Sequence, residues 1–581
     1  MKILLVHPDD LVETGPWTET AWDLIIDLGW SGRYSYSQQA SQLGCRVLGI
    51  YDLLDHAEHR CHLRDLLRMG LNQLVDSESI DWWDVFSSFI MGPLEQLTAL
   101  SAMAEKLPEC AEIHATHPHF ATRALSILLK REIKAFLPDL QTGFAIRAKS
   151  FAKRAFALRP SQVVEIAFDK WDTDYRLRRL LSQRPRASTE PAVLLPSAYV
   201  NVSRAQLAYA QMLPHRRFLL VVTRGSGRRL KLPANVELRS LASYAPGFSP
   251  STEKERIRLM GMWHDLWKDG FRLNRVLSLA LRLGTFDMFA NLLRNGLRIR
   301  DAWRNVLTNE RLTAVLSGDE NNPFTRLPIL LAKPRKLATV HCDHGALNMT
   351  FGIRPACSDV YLASGDMARD YLVNWCGLPA DKVIVGAPQS IFSSSRSGNR
   401  TERDWIVFFS EAYELSFARA QALYSELLPE LCSLARQAGR KVIVKLHPFE
   451  SRRMRKAMID KALSPEQRCL VEMRVGPMTP DIFERAWFSV TLESSVAVES
   501  TMNGVPCFLC GWFDGSWYGY GKQFAKYSAA YSLNSPQEIR RIPHLLEQIK
   551  ITDATRRALH TPISGERLEA VLTGVESSAA P

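Results

Sequence analysis

Short runs of β-branched residues alternate with longer helical patterns along almost the whole chain of 581 residues. Among these runs are KILLVH, RFLLVVT, DWIVFFS and KVIVKL. Apolar runs of this length, separated by helical segments, are typical of buried parallel strands that are joined by crossover helices. The alternation therefore predicts an α/β protein whose sheets are mostly parallel.

A chain of this length is too long for one hydrophobic core, so two or three domains are expected. Residues 392–404, FSSSRSGNRTERD, are rich in Ser, Arg and Asn and show no periodicity, which predicts a linker. A second series of strands and helices follows it. We predict a Rossmann-like domain over residues 1–391 and a second, doubly wound domain over residues 405–581.

Residues 251–310 interrupt the first series with an Arg-rich, mostly helical stretch, which predicts a helical insertion. Two interpretations of this insertion stay open. It packs as a cap on the first domain, or it forms a surface that meets a membrane or a polymeric acceptor through Trp263, Trp267 and the arginines. The basic stretch of residues 146–160 has the same two interpretations.

The chain has 73 Lys and Arg against 61 Asp and Glu, which gives a net charge of +12. This mild excess suits an acidic substrate, a nucleotide or an anionic membrane surface. The sequence has no nucleic-acid-binding signature, so no nucleic-acid partner is expected. The start, MKILLVHPDD, is typical of a first strand rather than of a signal peptide. We predict a cytoplasmic protein, peripheral at the inner face of the membrane if the basic helices bind lipid.

The ten cysteines are scattered, which predicts reduced thiols. His341, Cys342, Asp343 and His344 are all of metal-ligand type, but adjacent residues of a strand point to opposite faces and cannot all reach one ion. The sequence therefore predicts no metal and no cofactor. The stretch ATHPHF, residues 115–120, ends another predicted strand in His-Pro and is interpreted as structural.

Two apolar runs of the second domain end in polar residues, and the first of them is VIVKL. Because Pro448 cannot donate to a sheet ladder, this strand must end near His447. Lys445 lies two residues earlier on the same face. In open α/β sheets ligands bind outside the carboxyl ends of the strands, so His447 is a candidate ligand contact.

The second run, FSVTL, ends at Glu493, and Ser494 and Ser495 then begin a helix. Unpaired N–H groups at a helix N-terminus favour phosphate, and the two hydroxyls add donors. Glu499 lies one turn beyond Ser495, where its carboxylate can take a sugar or ribose hydroxyl. These strand ends, together with Ser410 at the end of DWIVFFS, are predicted to converge on one phosphate-bearing ligand.

The order of His-Pro, Ser-Ser and a Glu-bearing helix that ends in Gly504 and Pro506 resembles the second domain of GT-B-fold glycosyltransferases. It is most similar to the bacterial surface-polysaccharide groups with HP and SS motifs, namely sialyltransferases, capsule Kdo transferases and CDP-glycerol glycerophosphotransferases. Upstream, ATVHCDHGALN and the strands after it follow the layout of these enzymes. The resemblance covers residues 335–512 and implies two Rossmann-like domains in the GT-B arrangement.

In the GT-B enzymes that the chain resembles, the second domain binds the donor and no metal is obligatory. The resemblance implies that His447, Ser494 and Ser495 contact the phosphates of the donor. It also implies that His344, which matches the histidine of an H-G pair, is the general base that deprotonates an acceptor hydroxyl. Asp343 is the alternative base, since a carboxylate serves in the sialyltransferases.

Two further sets of residues are predicted to face the acceptor. Asp319 and Glu320 follow the apolar run TAVL, and they either line the acceptor side or cap a turn. Trp17 and Trp22 interleave with carboxylates after the first strand, and they either grip a sugar or form an aromatic core under a loop.

The leading hypothesis is a metal-independent transferase that moves a glycosyl group or a polyol phosphate from a nucleotide-activated donor to a surface-polysaccharide or lipid-linked acceptor. One alternative is an isomerase such as a UDP-sugar 2-epimerase, which has the same fold. Another is a non-catalytic scaffold that kept the GT-B fold.

Overall fold

The computed structural model describes residues 1–8, 10, 12, 15–29, 40–41, 43–138, 172, 175–182, 188–223, 230–247, 249–345, 347–391, 403–412, 415, 417–513 and 518–574. Residues 146–160 and most of the predicted linker lie outside these ranges. Within them the strands form three sheets, and every pair of neighbouring strands is parallel. The predicted α/β class with parallel sheets is confirmed.

The first unit is built on a sheet of five strands. The strands are β1 (Lys2–Val6), β2 (Leu24–Asp27), β3 (Arg46–Gly49), β4 (Glu112–Ala115) and β5 (Lys134–Ala135). They lie in the order β3-β2-β1-β4-β5. The helices are α1 (His56–Met69), α2 (Trp82–Lys106) and α3 (Phe120–Leu129).

The second unit is built on a sheet of seven strands. The strands are β6 (Ser188–Ser197), β7 (Arg217–Val222), β8 (Val236–Ser240), β9 (Glu310–Ser317), β10 (Ala338–Cys342), β11 (Val360–Ala363) and β12 (Val383–Val385). They lie in the order β12-β11-β10-β9-β6-β7-β8. The helices are α4 (Arg176–Leu181), α5 (Val200–Met212), α6 (Pro250–Asp269), α7 (Arg275–Arg282), α8 (Phe289–Asn309), α9 (Pro323–Ala332) and α10 (Asp366–Asp370).

The third unit is built on a sheet of six strands. The strands are β13 (Trp405–Phe409), β14 (Lys441–Lys445), β15 (Val471–Arg474), β16 (Ala486–Thr491), β17 (Cys507–Cys510) and β18 (Tyr531–Leu533). They lie in the order β15-β14-β13-β16-β17-β18. The helices after β13 are α11 (Phe417–Ala438), α12 (Arg452–Ala462), α13 (Pro465–Arg468), α14 (Pro480–Arg485), α15 (Val496–Met502), α16 (Tyr520–Lys526), α17 (Ile542–Gln548), α18 (Asp553–Leu559) and α19 (Gly565–Thr573).

The three sheets share one winding. When the strands are counted within each sheet, all three contain the order 3-2-1-4-5, which is the doubly wound order of Rossmann-like domains. The order reverses between the first and the fourth strand, and sheets of this kind bind ligands at that point. Residues 1–391, predicted as one Rossmann-like domain, therefore contain two such sheets.

The first sheet is covered on both faces. In β1, Ile3 and Leu5 share a core with α1 and α2, whereas Leu4 and Val6 point to the opposite face and share a core with Leu423 of α11. A parallel sheet that is buried on both faces has continuous apolar strands, which explains the run KILLV.

Helices α6, α7 and α8 occupy the predicted helical insertion between β8 and β9. Trp263 is buried and stacks on Phe289, with 4.0 Å between the ring centroids. Trp267 packs edge to face against Trp263 at 5.4 Å. This packing fits the interpretation of the insertion as a cap. Because the Trp263 ring is buried, it is not exposed for contact with a membrane. Among the described helices, none combines the length and the apolar character that a bilayer crossing requires.

Helix α19 packs on the second sheet although it follows the third in sequence. Its residues Leu568 and Val571 share a core with Val193 and Leu316 of the second sheet. At its surface, Glu569 accepts a hydrogen bond of 2.6 Å from the Nε of Arg216. The predicted C-terminal domain of residues 405–581 thus contains a helix that packs on the second unit.

A buried guanidinium joins the first and second units. Arg326 of α9 is 2% exposed and donates to both carboxylate oxygens of Asp84 in α2, at 2.8 and 2.9 Å. It lies 3.9 Å from the carboxylate of Glu320, which is fully buried. Charges that have lost their water must be compensated within the protein, so these three side chains depend on one another.

We expect Arg326→Met to lower the free energy of unfolding by about 3–5 kcal/mol, because the substitution leaves buried carboxylates without their counter-ion. Urea unfolding followed by tryptophan fluorescence measures this change. The matched control is Arg275→Met, which breaks an exposed ion pair with Glu105 and should change the stability only slightly. Equal effects of the two substitutions would contradict the prediction.

Candidate functional site

The carboxyl ends of the second and third sheets meet at a cavity of about 400 Å³. The second unit contributes residues that follow β9 and β10, and the third unit contributes residues that follow β13, β14 and β16. The cavity thus lies where two doubly wound sheets both offer their ligand-binding edges. Of the predicted site residues, it brings together Asp319, Asp343, His344, His447, Glu493, Ser494 and Ser495.

His344 follows β10 and is exposed to the cavity. Its Nδ1 is in hydrogen-bond contact with the backbone carbonyl oxygen of Gly318. A carbonyl oxygen can only accept, so Nδ1 must carry the proton. In the neutral ring Nε2 then has the lone pair, and this atom can take a proton from a bound hydroxyl.

Asp343 lines the cavity beside a buried histidine. The Nε2 of His341 lies 3.7 Å from its carboxylate, and the Nδ1 of His341 lies 3.7 Å from that of Glu320. Burial alone would lower the pKa of His341, but Asp343 and Glu320 hold this pKa above its ordinary value. His341 thus lies between two carboxylates, that of Asp343 at the cavity and that of the buried Glu320. The sequence interpretation considered His341 only as a metal ligand.

His447 lies at the end of β14, as the proline after it predicts, and its ring is oriented by the turn that follows. The Nδ1 of His447 accepts the N–H of Phe449 at 3.2 Å, so in the neutral ring the proton is on Nε2. The backbone N–H of His447 donates to Glu450 at 2.8 Å, and Glu450 also accepts from Arg455 at 2.7 Å. Glu450 is a positioning residue that the sequence interpretation missed, although it belongs to the same short motif.

Glu411, which follows β13, is a further lining residue that the sequence interpretation missed. Its carboxylate accepts the backbone N–H of Glu493 and the hydroxyl of Thr491, the latter at 3.3 Å. It therefore fixes the path of the chain between β16 and Ser494. A signal existed in the sequence, because Glu411 directly follows the last residue of the strand run DWIVFFS.

The cavity is rich in carboxylates. Among its described lining residues none is Lys or Arg, and four are acidic, namely Asp319, Asp343, Glu411 and Glu493. Backbone N–H groups compensate two of them, since Asp319 accepts from Asn321 at 2.9 Å and Glu411 accepts from Glu493. Among the described lining residues, the donors available to an anion are therefore hydroxyls, imidazole N–H groups and backbone amides.

Ser410 and Lys445, predicted to bind the donor, are absent from the described lining of the cavity. The Ser410 hydroxyl is buried and donates to Glu450 at 2.7 Å. The Lys445 ammonium is also buried and donates to the carbonyl oxygen of Gly476 at 2.7 Å. Burial lowers the pKa of Lys445, against the smaller opposing effect of Glu450. Both side chains support the strand ends from behind, and their predicted contact with a donor stays a prediction.

Three residues predicted on the acceptor side are buried elsewhere. Glu320 is enclosed and accepts from the backbone N–H groups of Cys357 and Ser358, each at 3.0 Å. Trp17 is 2% exposed, and Trp22 donates from its indole N–H to the Trp17 carbonyl at 2.8 Å. Both indoles belong to the core between the first sheet and the third unit. The aromatic core, which was one of two open interpretations, is the one that the structure supports.

The sequence left two interpretations open for Asp319, a turn cap and a lining residue, and its position fits both. It caps the turn before α9 by accepting from the N–H groups of Asn321 and Asn322, at 2.9 and 3.0 Å. It also lines the cavity on the side of the second unit.

Helix α16 closes the cavity from the third unit, and its role had no signal in the sequence. Tyr520 lines the cavity, and its hydroxyl accepts the N–H of Met349 at 2.9 Å. Gln523 and Lys526 donate to the Asp370 carboxylate at 2.8 and 2.7 Å. These bonds hold the second and third units together at the rim.

Glu499 lies one turn along α15 but is absent from the described lining of the cavity. Burial raises its pKa to about 6, against a smaller opposing effect of the Arg204 charge. Arg204 belongs to α5, so a charge of the second unit acts on the carboxyl group of Glu499. The predicted contact of Glu499 with ribose or sugar stays a prediction.

The raised pKa of Glu499 predicts a pH-dependent stability. The folded chain keeps this proton up to about pH 6, whereas the unfolded chain releases it near pH 4.3, so the folded state binds more protons between these values. The free energy of unfolding should therefore fall as the pH rises through this window. Glu499→Gln should match the wild type below the window and be more stable above it.

Urea unfolding of the wild type and Glu499→Gln across this pH range measures the effect. The control is Glu547→Gln, which changes an exposed glutamate. Parallel curves for the wild type and Glu499→Gln would contradict the prediction.

No family model and no curated protein sequence matches the chain. Among solved structures, UDP-GlcNAc 2-epimerase from Methanocaldococcus jannaschii is similar at 13% identity and a TM-score of 0.43, over 66% of this chain and 100% of that one. MurG from Acinetobacter baumannii is similar at 12% identity and a TM-score of 0.38, over 66% of this chain and 99% of that one. The calicheamicin glycosyltransferase CalG4 is similar at 11% identity and a TM-score of 0.38, over 67% and 96%. Identities of this size do not carry a substrate or a reaction from those proteins to this chain.

Proposed function

We propose that the chain is a GT-B-type transferase that moves a glycosyl group from a nucleotide-activated donor to a hydroxyl of a surface-polysaccharide or lipid-linked acceptor. The donor lies on the third unit and the acceptor on the second. The observation that carries the proposal is that His344 and His447 face one cavity from two different sheets. The Nδ1 of His344 carries a proton, whereas the Nδ1 of His447 accepts a hydrogen bond, so the two neutral rings are opposite tautomers.

The donor side needs groups that bind phosphate without a cationic side chain. The Nε2–H of His447 is a donor, because its Nδ1 is occupied by the N–H of Phe449. The hydroxyls of Ser494 and Ser495 line the same side of the cavity. Hydrogen bonds to a charged phosphate contribute about 1.5–3 kcal/mol each, so three such donors can hold a nucleotide.

The acceptor side needs a base, and His344 fits this role better than Asp343. The proton on Nδ1 is held by the Gly318 carbonyl, which leaves the lone pair of Nε2 for the acceptor hydroxyl. The Asp343 carboxylate lies 3.7 Å from the Nε2 of the buried His341, so one of its interactions is already directed into the protein. We assign Asp343 to orienting the acceptor.

The reaction is a direct displacement. The acceptor oxygen forms a bond to the anomeric carbon while His344 Nε2 takes the hydroxyl proton. The bond between the anomeric carbon and the phosphate oxygen breaks, and its electron pair leaves with the nucleotide. His447 and the serine hydroxyls stabilise the charge that develops on this phosphate. Attack opposite to the leaving group inverts the sugar centre.

We expect one nucleotide to raise the melting temperature of the wild type, since a ligand that binds only the folded chain stabilises it by mass action. The panel is CMP, CDP, UDP, GDP and UDP-GlcNAc. His447→Ala should weaken the affinity for that nucleotide by about 10–100-fold, which corresponds to one lost hydrogen bond to a charged group. Titration calorimetry in EDTA measures the affinity and tests the proposed metal independence at the same time.

The matched control is His264→Ala, which removes an exposed histidine of α6 and should leave nucleotide affinity unchanged. A panel without any response, or equal losses in both variants, would contradict the donor assignment. Conversion of UDP-GlcNAc to an epimer without an acceptor would replace the transferase proposal by the isomerase.

The base assignment makes a separate prediction about rate. Once a donor is known, His344→Ala should lower kcat by about 10²–10⁴-fold, the usual contribution of a general base, while the donor affinity stays within a few-fold of the wild type. Asp343→Asn should raise KM for the acceptor more than it lowers kcat. The reverse pattern in the two variants would assign the base to Asp343.

A further inference from the structure

The first sheet has its own unexplained cluster at the point where its winding reverses. Strands β1 and β4 are parallel neighbours in which Leu5 lies opposite Ala115. His7 follows Leu5 by two residues and His117 follows Ala115 by two residues, so the two imidazoles stand side by side at the carboxyl edge. Each is followed by a proline that ends its strand.

A carboxylate completes the cluster. Each of His7, Asp10 and His117 offers one ligand atom, and the three atoms lie within 4.8 Å of one another. The Nδ1 of His117 is 3.0 Å from a carboxylate oxygen of Asp10, and the rings of His7 and His117 are 5.4 Å apart. Donor atoms bound to one ion at about 2.1 Å in tetrahedral geometry would be about 3.4 Å apart, so only small movements separate this cluster from a coordination shell.

The surroundings hold the ligand side chains in place. His117 is 4% exposed and His7 is 9% exposed, which limits the rotation of both rings. The backbone N–H of His7 donates to the hydroxyl of Thr116 at 2.7 Å. The ring of His119 packs edge to face on His7 at 4.7 Å, while its Nδ1 accepts the N–H of Ala121 at 3.3 Å. Outer groups of this kind orient the ligands of metal sites.

A hydrogen-bonded pair of His117 and Asp10 would account for the carboxylate alone. The register of two neighbouring strands brings a second imidazole, that of His7, to the same point. Two histidines and one carboxylate are the three-ligand set of catalytic zinc sites and of non-haem iron sites, which keep positions open for water or a substrate.

We propose that His7, Asp10 and His117 bind a divalent transition-metal ion at the carboxyl edge of the first sheet. The imidazole ligands favour ions such as Zn²⁺ over Mg²⁺ and Ca²⁺, which prefer oxygen ligands. The ion cross-links the loops that follow β1 and β4 and keeps an open position. The site is separate from the cavity of the proposed transferase, and the interpretation of residues 115–120 as structural gives way to a ligand role for His117.

The test uses the full-length chain, free of any affinity tag and stripped with a chelator. After incubation with Zn²⁺ and gel filtration, elemental analysis should find about one more ion per chain in the wild type than in His7→Ala/His117→Ala. Both proteins have the exposed thiols of Cys110 and Cys469, so ions bound to these thiols cancel when the two metal contents are subtracted. His114→Ala, which changes a histidine of β4 outside the cluster, should keep the ion.

Two further measurements do not depend on the folding of the double variant. Zn²⁺ should raise the melting temperature of the wild type by mass action, and excess Mg²⁺ should not displace it. Asp10→Asn should weaken Zn²⁺ binding by at least about 10–100-fold, the loss seen when even outer-shell partners are removed. Equal metal content in the wild type and the double variant, loss of the ion from His114→Ala, or displacement by Mg²⁺ would overturn the proposal.

Discussion

The buried guanidinium of Arg326 sets the geometry of the cavity from behind. It compensates Asp84 on a helix of the first unit and approaches Glu320 in the loop after β9. Glu320 in turn faces His341, and His341 faces Asp343 at the cavity wall. Because Arg326, Glu320 and His341 are buried, none of these three can move without leaving a neighbouring charge uncompensated. The position of a cavity residue in the second unit therefore depends on a helix that belongs to the first.

Much of the α/β architecture could be predicted from the sequence, because each strand keeps its apolar run and each crossover its helical pattern. The strand ends could also be predicted from the sequence, because a proline after His447 cannot donate to the sheet ladder and so ends the strand. The grouping of the strands into sheets could not be predicted from the sequence. The apolar runs of the first and second units are chemically alike, and nothing local in KILLV says that it joins a different sheet from AVLLPS.

The side chains behind the strand ends show a second limit of sequence reasoning. Ser410 and Lys445 are polar residues at the right end of their strands, yet both are bonded to internal partners, Glu450 and the Gly476 carbonyl. Whether a polar group faces a ligand or a neighbour depends on contacts with segments far along the chain. The same holds for the two histidines of the cavity, whose tautomers are set by a carbonyl in one case and by an amide in the other.

Helix α19 lies beyond the third unit in sequence but covers an apolar face of the second sheet. During synthesis on the ribosome, the second unit therefore emerges with that face uncovered. The face stays so until the whole third unit and residues 565–573 have followed. An incompletely covered sheet of this kind is prone to aggregation, so the nascent chain should need a chaperone for longer than the size of its units suggests. Assembly of the second unit therefore waits for residues that are synthesised after the sheet of the third unit.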